Sequence, residues 1–239
     1  EEAVQRHQWL DARHIYAGEL LPGHYEEWVD EERQRLAHLA ERIPPHLPAL
    51  TADEQQAMAL VDRAGLLARR GAPGFEARAV ELLEQAVRQA PAFALARTRL
   101  AGTLYNRALR LVGPERRSQF QRAREEVDAA VKLDPMDPRA RAMWLVYRYR
   151  HELNFWQTRD ALLDLAERFP ESPVPLNALG IVYTDVGHAA GAEACQRQAH
   201  RLEPLNVIGL YNIGAARMNG YRYASALEVF DQVLELEPD

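Results

Sequence analysis

The 239 residues hold 29 basic against 35 acidic side chains, a net charge of −6, with 47 % apolar and 27 % charged residues. That is an ordinary soluble composition, and its acidic balance argues against a surface built for nucleic-acid phosphates, which needs clustered Lys or Arg. The single cysteine, Cys195, excludes an intrachain disulfide and a multi-cysteine zinc site, and no apolar run reaches the roughly 20 residues of a membrane helix. With no signal-like segment either, the expected location is the cytoplasm. Lys132 is the sole lysine, so the basic residues are almost all Arg, as in a GC-rich bacterial genome.

In chain order, residues 3–17 read as a helix with Val4, Trp9, Leu10, Ile15 and Tyr16 as its larger apolar residues and Gly18 as a left-handed C-cap. The turn GELLPG then feeds a second helix, 25–43, with Tyr25, Val29, Leu36, Leu39 and Ile43 in a stripe and Trp28 beside it. Glu26, Glu27, Asp30, Glu31 and Glu32 open this helix and Arg33, Arg35 and Arg42 follow, an order that complements the helix dipole. Because the five acids fan around the helix, they read as a solvated start and not as a cation site. His7 and His14 stand two turns apart and no His-Glu-x-x-His occurs, so no metal is expected. These helices make a hairpin over 1–43, and Pro44, Pro45 and Pro48 mark 44–51 as an extended linker. Thr51 and Glu54 have capping-box spacing for the next helix.

From there the chain repeats. Pro170, Pro204 and Pro238 are 34 residues apart, each after an amphipathic helix, and Pro91 and Pro135 end similar helices upstream. The predicted units are 52–91, 92–135, 136–170, 173–204 and 207–238, each a pair of helices. Leu179, Gly180 and Tyr183 with Ala192 and Ala199 in one unit match Ile213 and Gly214 with Ala226 and Phe230 in the next. Small residues at these places let paired helices approach, and the large ones fill the space between them. Gly187 and Asn219-Gly220 mark turns within hairpins. The unit 136–170 has Trp144, Leu145 and Tyr149 on its first helix and the turn HELNFWQ, while 92–135 carries ten extra residues, read as a longer first helix and a loop, VGPERRSQ. The first unit shows a clear second helix, AVELLEQAVRQAP, with Ala79, Leu83 and Ala86 on one face.

This pattern resembles the tetratricopeptide repeat, and its order of irregularities is similar to the repeat module of CadC-type winged-helix regulators: EQAVRQAP-AFALA, a long second unit ending in AVKLDP, the aromatic turn NFWQTRDAL, then two regular units. A second resemblance covers residues 9–39. Tyr16, Gly18, Glu19, Leu20, Leu21, Pro22, Trp28, Val29, Glu32, Arg33 and Leu36 are similar to the start of the bacterial transcriptional activator domain of Streptomyces-type antibiotic regulators. The resemblances imply an all-α fold, a helical hairpin followed by a right-handed superhelical array. They also imply a regulatory, interacting role whose nucleic-acid contacts belong to a domain upstream of residue 1.

No residue pattern points to catalysis. There is no Gly-rich phosphate loop; Cys195, with Glu193 and His200 nearby in sequence, reads as a packed thiol. The basic stretches PERRSQFQRAR and YRYRH read as solvent-facing Arg beside core aromatics. No catalytic, cofactor or metal residue is expected. What an array of this kind offers is a concave face lined by its first helices. There the register places Thr98, Arg99, Tyr105, Asn106, Trp144, Tyr147, Arg150, Asn177, Ile181, Asp185, Tyr211, Asn212 and Met218. Arg99, Asn106, Trp144, Tyr147, Asn177, Asp185, Tyr211 and Asn212 are the candidate groove residues: Asn pairs with a peptide backbone, and aromatics and Arg suit binding hot spots. Trp144 and Tyr147 read equally well as packing against the long second unit. The expected partner is a protein or peptide, either for a regulator or for a stand-alone scaffold, and the last apolar face, without a capping helix, suggests homo-oligomers.

Overall fold

Thr51 opens the first described helix with a reciprocal capping box: Glu54 N donates to Thr51 Oγ1 at 3.2 Å, and Thr51 N donates to Glu54 Oε2 at 2.9 Å. The computed structural model describes residues 50–70, 75–152, 154–203 and 206–236. The hairpin expected over 1–43, the linker as far as residue 49, and the helix-ending Pro204 and Pro238 lie outside the described residues.

Among the described residues there are ten helices and no strand: α1 (Ala52–Arg70), α2 (Phe75–Gln89), α3 (Ala94–Arg110), α4 (Gly113–Leu133), α5 (Pro138–Glu152), α6 (Phe155–Arg168), α7 (Val174–Asp185), α8 (Ala189–Leu202), α9 (Val207–Asn219) and α10 (Tyr223–Leu236). Each packs against the next across a short connection, which makes neighbours antiparallel. The odd-numbered helices therefore share one direction, and α5 also packs directly on α7.

Local chemistry sets the breaks. Asn154 accepts from Gln157 N at 3.2 Å, His188 Nδ1 accepts from Gly191 N at 2.9 Å, and Asn206 Oδ1 accepts from Ile208 N and Gly209 N at 3.1 and 3.3 Å. Each satisfies an otherwise orphaned N–H at a helix start. Between α4 and α5, Asp134 and Asp137 accept from Met136 N and Arg139 N, both at 2.9 Å. Buried Thr98 then donates to Asp137 Oδ2 at 3.1 Å, tying this turn to α3.

One expectation is corrected. VGPERRSQ is not a loop: α4 begins at Gly113 and runs 21 residues, leaving Leu111 and Val112 between it and α3. Pro114 lies in the first turn, where its missing N–H costs no hydrogen bond and its fixed φ suits the helix. Gly113, at φ 64°, makes the sharp turn before it. The ten extra residues thus lengthen both helices together, and Tyr105 still meets Phe120, ring centroids 5.4 Å apart.

The core has two parts that meet at α5. The first gathers Met58, Leu83, Phe93, Leu100, Leu104 and Val127 from α1 to α4 and takes Tyr147 from α5. The second gathers Leu145, Val146 and Tyr149 of α5 with Leu162, Leu165, Phe169, Leu179, Val182 and Cys195. Each fully buried Leu or Phe contributes about 1.5–3 kcal/mol of transfer free energy. In the last hairpin, a Cβ at Gly214 would stand 2.6 Å from the Phe230 ring, so α9 and α10 can approach as they do because position 214 has no side chain.

Candidate binding face

The shared direction of the odd-numbered helices brings their C-terminal halves together, and Arg150 joins three of them. From the end of α5 it donates through Nη1 to the Tyr105 hydroxyl on α3 and through Nε to Asp185 Oδ2 on α7 at 3.1 Å. Its guanidinium also lies 5.6 Å from the Tyr105 ring centroid. Burial works against the Arg150 charge, but Tyr105 and the Asp185 carboxylate outweigh it and hold the guanidinium more firmly protonated than usual.

Tyr147 forms the floor under this group. It is 7 % exposed, its ring meets Tyr105 edge-on at 5.5 Å, and its buried hydroxyl has no hydrogen-bond partner within the protein. Burial, reinforced by Tyr105, pushes the phenol well above its ordinary value. Trp144 is half-buried against both cores, with Arg148 over its ring at 4.7 Å and held from the far side by Glu152. The stretch YRYRH therefore alternates as its reading anticipates, with Tyr147 and Tyr149 buried and Arg148 and Arg150 outward.

The other candidates lie along the same series of helices. Arg99 is half-buried and Asn106 exposed on α3. Asn177 is half-buried on α7; its backbone oxygen accepts from Gln196 Nε2 at 3.3 Å, and its buried Oδ1 has no partner within the protein. Asp185 is exposed at the end of α7, and on α9 Asn212 is half-buried while Tyr211 is exposed and rests on Phe230, centroids 5.5 Å apart. The structure thus gathers Tyr147 and Asp185 around Arg150 and strings the rest along α3, α5, α7 and α9. Tyr105 and Arg150, which hold the group together, were legible in part. Arg150 and Asp185 are 35 residues apart, one repeat, so they occupy equivalent and adjacent places. The 45-residue step from Tyr105 hides the same relation behind the lengthened second hairpin.

Cys195 is buried in the second core, and burial pushes its thiol up to about 11, so it is protonated at neutral pH. Glu193 is engaged elsewhere: it accepts from Arg217 Nε at 2.9 Å and from Arg222 Nη2. Among the described residues no three His, Cys, Asp or Glu are placed to hold a metal ion, and no helix is long and apolar enough to cross a membrane.

No family model matches the chain, and no curated protein sequence does. Solved structures do. A thermophilic tetratricopeptide-repeat protein of Thermus thermophilus, TTC0263, is 21 % identical over 77 % of this chain and 92 % of its own, with a TM-score of 0.59. The pilF protein of Pseudomonas aeruginosa is 17 % identical over 77 % and 78 %, TM-score 0.49. MamA of Desulfovibrio magneticus RS-1 is 18 % identical over 80 % and 98 %, TM-score 0.44. With ten paired helices in the described residues and the Thermus repeat protein superimposing on most of them, the fold is all-α and of the tetratricopeptide-repeat type.

Proposed function

We propose that the chain is a non-enzymatic module that holds a protein or peptide against the face formed by α3, α5, α7 and α9. One observation carries this reading. Arg150 fastens three successive odd-numbered helices into one continuous surface of aromatic, amide and charged side chains, with Asn106, Asp185 and Tyr211 exposed along it. Amides that both donate and accept suit an extended backbone, and the Trp144–Arg148 pair supplies a hot-spot chemistry.

The resemblance of residues 9–39 to an activator domain supports placing the module in the regulatory part of a transcriptional regulator, with nucleic acid contacted by a domain outside this chain. A stand-alone scaffold fits the array equally, and the segment encoded upstream of Glu1 separates the two: a winged helix supports the regulator, an export signal removes it. The face itself is tested by pulldown from a bacterial lysate. Replacing Asn177 and Asn212 together by Ala should weaken the affinity for the captured partner about thirtyfold, in line with two lost hydrogen bonds of about 1 kcal/mol each. Unchanged capture would move the site elsewhere.

A further inference from the structure

The last two hairpins repeat with a period of 34 residues: Gly180 lies against Gln196, and Gly214 against Phe230, the same pair one period on. The covered side of α8 therefore shows what the matching side of α10 is shaped to receive. Three positions of α8 meet α9 or the turn after it. Glu193 accepts from Arg217 Nε at 2.9 Å. A Cβ at Gly209 would stand 3.5 Å from His200 Nδ1, and a Cβ at Gly220 would stand 3.1 Å from Ala189 Cβ.

One period on from Ala189, Glu193 and His200 stand Tyr223, Leu227 and Leu234. They are 57, 62 and 59 % exposed, and no helix of the described residues packs over them. The steps between them are close to one turn and two turns of an α-helix, so the three share one side of α10. The place matches α8, but the chemistry does not. The covered joint sets a small residue, a carboxylate and an imidazole against Gly209, Arg217 and Gly220, whereas α10 offers a ring and two leucines. Apolar side chains at this spacing, left in water on a helix face, are what an amphipathic helix buries when it docks.

Charge narrows the occupant. Glu228, Asp231 and Glu235 are exposed beside the stripe, and Tyr223–Leu236 contains no basic residue. None of the three acids has an ion-pair partner among the described residues, whereas Glu193 of the covered joint is already held by Arg217 and Arg222. An occupant with acids of its own is repelled. That includes α10 of a second copy laid antiparallel across a two-fold axis, which would set these acids against their own likes. A helix with Arg or Lys along the border of its apolar side answers both the stripe and the acids.

We propose that the outer side of α10 is a docking site for an amphipathic, basic-flanked helix of a partner protein, seated as α9 is on α8. Its apolar side covers Tyr223, Leu227 and Leu234, and its bases meet Glu228, Asp231 and Glu235. This contact is separate from the peptide face, which lies on the odd-numbered helices.

The probe is a synthetic helical peptide of about four turns with Leu and Ala on one side and Arg on both flanks, titrated against the full chain and followed by fluorescence anisotropy. Wild type should bind it at least tenfold more tightly than the same peptide with Glu in place of Arg. Leu227→Gln with Leu234→Gln should weaken binding about tenfold while the melting temperature holds, because both side chains already stand mostly in water. Glu228→Lys with Asp231→Lys should turn the preference toward the Glu-flanked peptide. Asn177→Ala with Asn212→Ala, which tests the peptide face, should leave this binding unchanged. The proposal falls if wild type binds neither peptide or both alike, or if the leucine variant binds as wild type does. It falls too if wild type sediments as a dimer that the leucine variant breaks, which would make a second copy the occupant.

Discussion

Hairpins α1/α2 and α3/α4 bury Met58, Leu83, Phe93, Leu100, Leu104 and Val127 almost completely, whereas the α9/α10 hairpin buries four smaller or branched apolar side chains, Ile213, Ala216, Ala226 and Val229. It leaves Leu227, Leu234 and Leu236 about 60 % exposed. Yet by period the last unit is among the most regular and the first two are the most irregular. Regular spacing and strong packing are separate properties: Pro and Gly set where helices stop and cross, while core strength depends on how many large side chains a hairpin can enclose with its neighbours. The last hairpin compensates with polar contacts. Glu193 of α8 receives Arg217 and Arg222 from α9 and the turn after it, and Arg217 also donates to Ser225 O at 2.9 Å.

This contrast can be broken in order of size. Leu104→Ala, at a fully buried site of the first core, should cost about 3 kcal/mol in urea unfolding, for the lost burial and the cavity left behind. A loss under about 1 kcal/mol would mean that the long second hairpin collapses freely around the gap.

Glu193→Gln should loosen the last hairpin by about 2 kcal/mol, the scale of hydrogen bonds to a charged group, and leave the first core intact, which hydrogen exchange in α9 and α10 against α3 would show. Its pH dependence has a definite sign. Burial alone would raise the Glu193 carboxyl, but the hydrogen bonds and charges of Arg217 and Arg222 overcome it and hold the carboxyl below its usual range. A depressed native value means that the stabilisation is complete above the unfolded carboxyl value of about 4.3 and is lost as pH falls through the lower native value. The Gln variant should lack that acid-dependent loss; an identical acid profile would place the sensitivity elsewhere.

Two glycines give the smallest and most diagnostic pair. Gly214→Ala forces a Cβ against a rigid Phe230 ring and should destabilise by about 1–2 kcal/mol. Gly65→Ala, inside α1 with nothing within 4 Å of the new Cβ, should stabilise by about 0.5–1 kcal/mol through helix propensity alone. Melting curves that moved in the same direction would contradict the claim that glycine is a packing requirement in the last hairpin and incidental in the first.

Much of the scaffold was readable in advance because its determinants are local. The capping box at Thr51 and Glu54, the turns at Gly187 and Gly220 and the crossing glycines at 180 and 214 act within or between adjacent helices, where spacing alone fixes the neighbours. Gly113-Pro114 misled because the same two residues end a loop or begin a helix. What decided was the tertiary gain from extending α3 and α4 together, so that Tyr105 and Phe120 stay in contact. Of the candidate face, residue types and helices were readable, but exposure was not: Tyr147 and Trp144 sit one turn apart on α5, and the packing of α3 sends the first into the core and leaves the second half-open.

By itself, then, the sequence determined an all-helical chain punctuated into paired helices, because helix stops, caps and close crossings are written in short-range residue chemistry. The tertiary structure decided which side chains converge. Arg150 finds Tyr105 and Asp185 across 45 and 35 residues, because antiparallel stacking brings distant helices together and no local rule encodes that distance.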